Sequence, residues 1–236
     1  MKKTILQLLL IILSSTGCGQ VAKDYLNEGI SKYESGDYEG AIDDFSKAIE
    51  FDPKYSEAYC NRGKCKKALG GCKEAIDDFS KAIEFDPKDY KGYAGRGFCY
   101  VYLGKYREAI ADYYKAIDLK PNKQQAFYFQ IGFSRDRLGD YIGAITAYSK
   151  AIELDPNYAV AYFHRGVTKD RIRDFRGALA DYSKSILLDP NEPSGYLFRG
   201  EIRIALGEKE EACLDFSKAG ELGDEMGYFL IRKHCQ

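Results

Sequence analysis

The sequence predicts an all-α chain of stacked helix–turn–helix units. Three observations carry this. Five of the six prolines, Pro53, Pro87, Pro121, Pro156 and Pro190, recur every 34 or 35 residues. The string AIDDFSKAIEFDPK occurs twice, at 41–54 and again at 75–88. Between the prolines, columns of identical residue types stand three and four apart, which is the spacing of one helix face. A fixed period of this length means a repeat array, in which each unit buries its apolar faces only by stacking on its neighbours.

The N-terminus is read first. MKKTILQLLLIILSSTGCGQ opens with Lys2 and Lys3, continues with an apolar run from Ile5 to Leu13, and ends in small residues before Cys18. This is the layout of a secretory signal, with an apolar run too short to span a bilayer. It resembles a bacterial lipoprotein signal peptide, in which the cysteine thiol is acylated and the cysteine becomes the new N-terminus. Ser15 stands where that family prefers an aliphatic residue. The resemblance implies a signal peptide over 1–17, a lipid on Cys18 and a lipidated linker over 18–21. An ordinary signal peptide cleaved near Gly17 is the alternative.

The repeats fill the remainder, as units 22–55, 56–89, 90–124, 125–158, 159–192 and 193–226. The first helix of each carries a tyrosine (Tyr25, Tyr59, Tyr93, Tyr128, Tyr162, Tyr196) and, one turn on, a glycine (Gly29, Gly63, Gly97, Gly132, Gly166, Gly200). Gly36, Gly70, Gly104, Gly139 and Gly207 are placed to end these helices, and Arg173 takes that place in the fifth unit. The second helix carries an alanine (Ala41, Ala75, Ala109, Ala144, Ala178, Ala212), then an aromatic (Phe45, Phe79, Tyr114, Tyr148, Tyr182, Phe216). Glycine is expected to face alanine, so that the two helix backbones come close. An Asp-Pro pair closes four units and Lys120-Pro121 a fifth, since the residue before proline resists the helical conformation. Gln124 is one residue extra. The last unit departs from the columns at Lys209, Gly220 and Asp224, and 227–236 is expected to form a helix capping the open end.

Beside the glycines stand Arg62, Arg96, Arg165 and Arg199. The same units place Asp78, Asp112, Asp181 and Asp215 before the second-helix aromatic. The fourth unit loses both partners together, with Ile131 and Ala147. Bridges between the two helices of one unit are expected. The first unit has Glu28 with Asp44, leaving Asp44 without a partner of its own.

Nothing in the sequence announces chemistry. The 35 basic and 36 acidic residues give a net charge of −1, without the basic stripe of a nucleic-acid binder. There are two histidines, no HExxH, no GxSxG and no phosphate-binding loop. The seven cysteines fit no zinc spacing. The six beyond Cys18 are read as small core residues, with no disulfide pair assignable. No cofactor, metal or small-molecule substrate is expected.

Taken together, the columns make residues 22–226 resemble a tetratricopeptide repeat (TPR) protein, with tyrosine in place of the family's usual tryptophan. The resemblance implies a right-handed superhelical solenoid of antiparallel helix pairs, six units plus a C-terminal capping helix. It also implies a concave groove lined by the first helices. The read-out begins at Leu26 and Cys60 and centres on an aromatic strip, Phe98, Tyr102, Phe129, Phe133 and Phe163. Asp136, Arg137, Asp170 and Arg171 lie at its edge. These positions vary between units while the packing columns do not. The expected function is a non-enzymatic protein-interaction scaffold, lipid-anchored in a bacterial cell envelope and facing the periplasm or the exterior. It would hold a peptide or helix of a partner protein. A self-associating structural element and an unrecognised enzyme are the alternatives.

Overall fold

The structure, a computed structural model, describes residues 2–120 and 124–235, with side chains from Cys18 onward. Among the described residues there are thirteen helices and no strand. The chain divides into two compact units, Met1–Lys120 and Pro121–Gln236. The first stacks three helix pairs: α1 (Lys2–Glu34) with α2 (Tyr38–Phe51), α3 (Ser56–Ala68) with α4 (Cys72–Phe85), and α5 (Tyr90–Tyr102) with α6 (Tyr106–Leu119). The second stacks α7 (Gln124–Arg137) with α8 (Tyr141–Leu154), α9 (Ala159–Arg171) with α10 (Phe175–Leu188), and α11 (Pro193–Leu206) with α12 (Lys209–Glu221). It ends in α13 (Glu225–His234). The side chains of 1–17, read as a signal peptide, lie outside the described residues. Residues 18–21, read as a linker, continue α1 without a break.

The turns follow from their residues. Gly36, Gly70, Gly104, Gly139 and Gly207 have φ between 73° and 85°, the left-handed conformation that lets a helix end in a tight cap. Arg173 adopts φ 63° at the same place. Its N–H donates to the Asp170 carbonyl at 2.8 Å, and the next N–H, of Asp174, to Lys169 at 2.9 Å. Three caps pass directly into the second helix, because the following Asp37, Asp140 or Asp174 accepts from the third helical N–H at 2.9–3.0 Å. At the exit turns, Asp52, Asp86, Asp155 and Asp189 each accept from the N–H two residues on, closing the turn over the proline. Lys120 offers no such acceptor, and the division between compact units falls beside it.

Packing within a pair is set by an aromatic ring beneath a glycine. A Cβ added to Gly29, Gly132, Gly166 or Gly200 would lie 2.5–2.8 Å from the ring of Phe45, Tyr148, Tyr182 or Phe216. The glycines therefore face the rings rather than the alanines. The alanines, wholly buried, line the same contact from the second helix. In the third unit the ring is Tyr113, buried against Gly97, and not Tyr114, which is exposed. Successive tyrosines made the two interchangeable by type, but only Tyr113 lies four residues after Ala109.

A charged strap joins the same helices. Arg62, Arg96, Arg165 and Arg199 each grip Asp78, Asp112, Asp181 or Asp215 through two parallel hydrogen bonds of 2.6–3.1 Å. The remaining nitrogen, Nη1, donates to a serine of the preceding second helix: Ser46, Ser80, Ser149 or Ser183, at 2.9–3.2 Å. Each guanidinium also stacks on its unit's column tyrosine, with 5.4–5.9 Å to the ring centroid. One arginine thus ties three helices. A second cation one turn later reaches the same carboxylate in several units: Lys66 to Asp78 at 2.7 Å, Lys169 to Asp181 at 2.8 Å, Arg203 to Asp215 at 2.7 Å. That position supplies the partner expected to be missing for Asp44, namely Lys32 at 2.5 Å.

The C-terminal helix is bound closely. A Cβ on Gly227 would lie 2.6 Å from the Gly220 backbone nitrogen, and one on Gly220, the glycine that breaks the last unit's column, 2.8 Å from the Tyr228 ring, so both glycines let α13 approach α12. A disulfide, Cys213–Cys235, then fastens the end of α13. These two cysteines are not the free core thiols expected. Closing a loop of this separation contributes about 3 kcal/mol. Cys60, Cys65, Cys72 and Cys99 are free and buried.

Two measurements follow from the frame. Gly200→Ala should lower the midpoint of chemical denaturation, because about 1–3 kcal/mol of overpacking against Phe216 exceeds the ~1 kcal/mol of helix propensity gained. Arg173→Gly should raise it, by up to about 1 kcal/mol, since only the arginine is strained there. For the strap, Arg96→Ala and Asp112→Ala should each cost about 2–4 kcal/mol, below the fully buried range because Arg96 is partly exposed. The double variant should cost little more than either alone; strictly additive losses would contradict the pairing.

Candidate functional site: the inner face of the first helices

Successive first helices touch one another within each compact unit (α1 with α3, α3 with α5, α7 with α9, α9 with α11), whereas successive second helices make no comparable contact. The first helices therefore line the inner face of each stack. The frame residues point between helices; of the positions one residue beyond the tyrosine and glycine columns, some reach that surface and others are buried.

In the first compact unit the exposed aromatics of the first helices include Tyr102, Phe98 and Tyr33. Tyr102 is 69% exposed and Phe98 44%. Lys67 holds its ammonium 4.7 Å from the Phe98 ring centroid, a cation–π contact at the surface. Leu26 and Cys60, read as groove positions, are instead buried in core clusters. Leu26 packs with Ala41, Phe45 and Ala58, and Cys60 with Ala75, Phe79 and Cys99.

In the second compact unit the aromatics of the strip pack on rings behind them and on His164. Phe129 lies 5.6 Å from Tyr148 and 5.4 Å from Tyr158; Phe163 lies 5.7 Å from Tyr182 and 5.3 Å from Phe198. His164 sits among Phe129, Phe133, Tyr148 and Phe163 at 5.3–6.1 Å. Burial pushes its pKa below the ordinary histidine value, outweighing the Asp136 carboxylate, so it is neutral at pH 7. Phe129 and Phe163 are thus half-buried walls of the face rather than free anchors. Nothing in the sequence distinguished His164 except its place next to Phe163.

The charges divide similarly. Asp136 is nearly buried, 3.0 Å from the Thr168 hydroxyl and ion-paired with Arg171. Two residues read as groove edges are therefore committed to each other across α7 and α9. Arg137 is exposed. Asp170, half-buried, has its carboxyl pKa raised by burial, against which the adjacent Arg171 acts only in part. On α11 the carboxyl of Glu201 lies at the surface, and partial desolvation and then the Asp170 charge raise its pKa.

Among the described residues no three His, Cys, Asp or Glu side chains are grouped to hold a metal ion. Burial pushes the Cys60 and Cys65 thiols up to about 11 and Cys99 up to about 12, so these are not thiolates at neutral pH. Cys18 is exposed. Among the described residues no helix is long and apolar enough to cross a membrane.

Comparison with known proteins agrees with this architecture. Family models described as TPR repeat match residues 29–70 and 137–169, and models described as tetratricopeptide repeat match 56–89 and 90–123. No curated protein matches the chain. Among solved structures, MamA is 27% identical over 68% of this chain and 93% of its own, with a TM-score of 0.64. YrrB, described as a TPR protein with an unusual peptide-binding site, is 23% identical over 80% and 97%, TM-score 0.66. Pseudomonas aeruginosa pilF is 16% identical over 92% and 99%, TM-score 0.76. The last two likenesses concern fold alone. With the repeat models covering more than half of its length, all-helical pairs throughout and TPR structures as neighbours, the chain belongs to the tetratricopeptide repeat family.

Proposed function

We propose that the chain is a non-enzymatic interaction scaffold of a bacterial envelope, held to a membrane by lipid on Cys18, that takes a peptide or helix of a partner protein along the inner face of its first helices. The observation that carries the binding reading is the contrast between frame and face. The frame rings at Phe45, Phe79, Tyr148, Tyr182 and Phe216 are buried and alike, while Phe98 and Tyr102 stand exposed; Phe98 recurs only as Phe133, which is half-buried against His164, and Tyr102 matches no aromatic in the other units. Exposed aromatics beside a cation are suited to anchor a partner. The peptide-binding site named for YrrB lies on the same fold and supports the reading at that level only. Anchoring rests on the N-terminal residue pattern and on the exposure of Cys18.

A photo-crosslinking residue at Tyr102 should capture a protein in membranes of the source organism, whereas the same residue at Ile142, exposed on the second helix α8, should not. Equal capture at both positions would count against the inner face. Separately, radiolabelled palmitate should enter the wild-type chain and be absent from Cys18→Ser, which should also appear in the soluble fraction. Unchanged labelling of the variant would contradict the anchor.

A further inference from the structure

The repeat supplies its own control at Asp170. Moving 34 residues along the chain takes Asp136 to Asp170, Thr168 to Ile202 and Arg171 to Ala205. In the first set, hydroxyl and guanidinium satisfy the carboxylate across α7 and α9. In the second set, across α9 and α11, both donors are replaced by aliphatic side chains. Among the described residues Asp170 has no ion pair or hydrogen bond, and neither has Glu201, one turn before Ala205 on α11. Two carboxylates of like sign thus share a surface from which the internal cation has been removed.

A third group is unpartnered in the same place. Tyr182 is fully buried, and its hydroxyl has no hydrogen-bond partner. Its ring passes under Gly166 of α9, with the Cβ position 2.8 Å away, and between Phe163 and Phe198. The ring thus reaches from α10 to both first helices, α9 and α11. Asp170 and then Glu201 are the charges it feels most strongly. A buried hydroxyl left unpaired is costly, and two unpaired carboxylates repel. The other charges facing the pair are Arg171, already committed to Asp136, and Lys233 and His234 of α13, which act on Glu201 from beyond ion-pair distance.

We infer that Asp170, Glu201 and the Tyr182 hydroxyl form a subsite for one basic side chain, arginine or lysine, of the partner peptide. The subsite rests on the inner-face reading above. The incoming cation would stand where Arg171 stands one unit earlier, its N–H groups donating to both carboxylates and to the tyrosine oxygen. A guanidinium suits three acceptors better than an ammonium, because its donors form a fixed fork. Phe163 and Phe198 would flank its stem.

The test is selection of a random-decapeptide display library on three chains: wild type, Asp170→Asn and Ala205→Arg. The last restores the internal cation at its repeat position. Wild type should recover peptides with Arg or Lys enriched at one fixed position. For such a peptide the affinity should fall at least tenfold with either variant, and equally when its basic residue is replaced by glutamine. Asp170→Asn should not lower the melting temperature, since it removes a carboxylate that burial disfavours; a clear drop would show a structural role and overturn the subsite. Peptides recovered without a basic position, or affinity within twofold in Asp170→Asn, would overturn the subsite and leave the groove standing. Recovery of no peptide would overturn both.

Discussion

The contact on which everything else rests is an aromatic ring packed against a glycine. It recurs in all six helix pairs, with Phe or Tyr on the second helix and glycine on the first. Any side chain at the glycine would meet the ring, so the two helices settle at one distance and one rotation. Once that rotation is fixed, the tyrosine column, the arginine beside the glycine and the inner-face residues all have assigned directions. The glycine is needed here for the space it leaves, not for its backbone freedom. The turn glycines at Gly36 and its equivalents are the opposite case, required for a positive φ with open space around them.

The arginine then converts a set of pairs into a stack. Its fork grips the aspartate of its own unit while Nη1 reaches the serine of the unit before. At the junction between the third and fourth units every part of this device is replaced: Tyr114 for serine, Ile131 for arginine, Ala147 for aspartate. Lys120 also replaces the turn-closing aspartate there. The two compact units meet in sequence at that point, between Lys120 and Pro121. Register is what such half-buried pairs supply best, since their net stabilisation is offset by desolvation.

Much of this frame was legible in the sequence because a repeat shows each position six times. Period, helix pairing, turn glycines and the Arg–Asp columns all follow from it. What failed was whatever depended on one unit or on depth. Tyr113 and Tyr114 differ in burial, not in type. The pairing of Cys213 with Cys235 depends on how α13 folds back over α12, which no column records. The serine and second-cation columns were present but have no signature until the geometry shows what they touch. On the inner face, Asp136 and Arg171 looked like free charges and are spent on each other, whereas Asp170, of the same appearance, is not. The difference lies in residues 32 and 35 positions further on, a separation that only stacking makes meaningful.

Frame and reading surface are separate sets of residues on the same stack of helices. The most direct measurement is amide chemical-shift mapping of the isotopically labelled chain titrated with a bound peptide. Shifts concentrated along α3, α5, α7, α9 and α11, with α4, α6, α8, α10 and α12 unmoved, is the result the account predicts. Shifts centred on the second helices, or spread evenly over both sets, would contradict it.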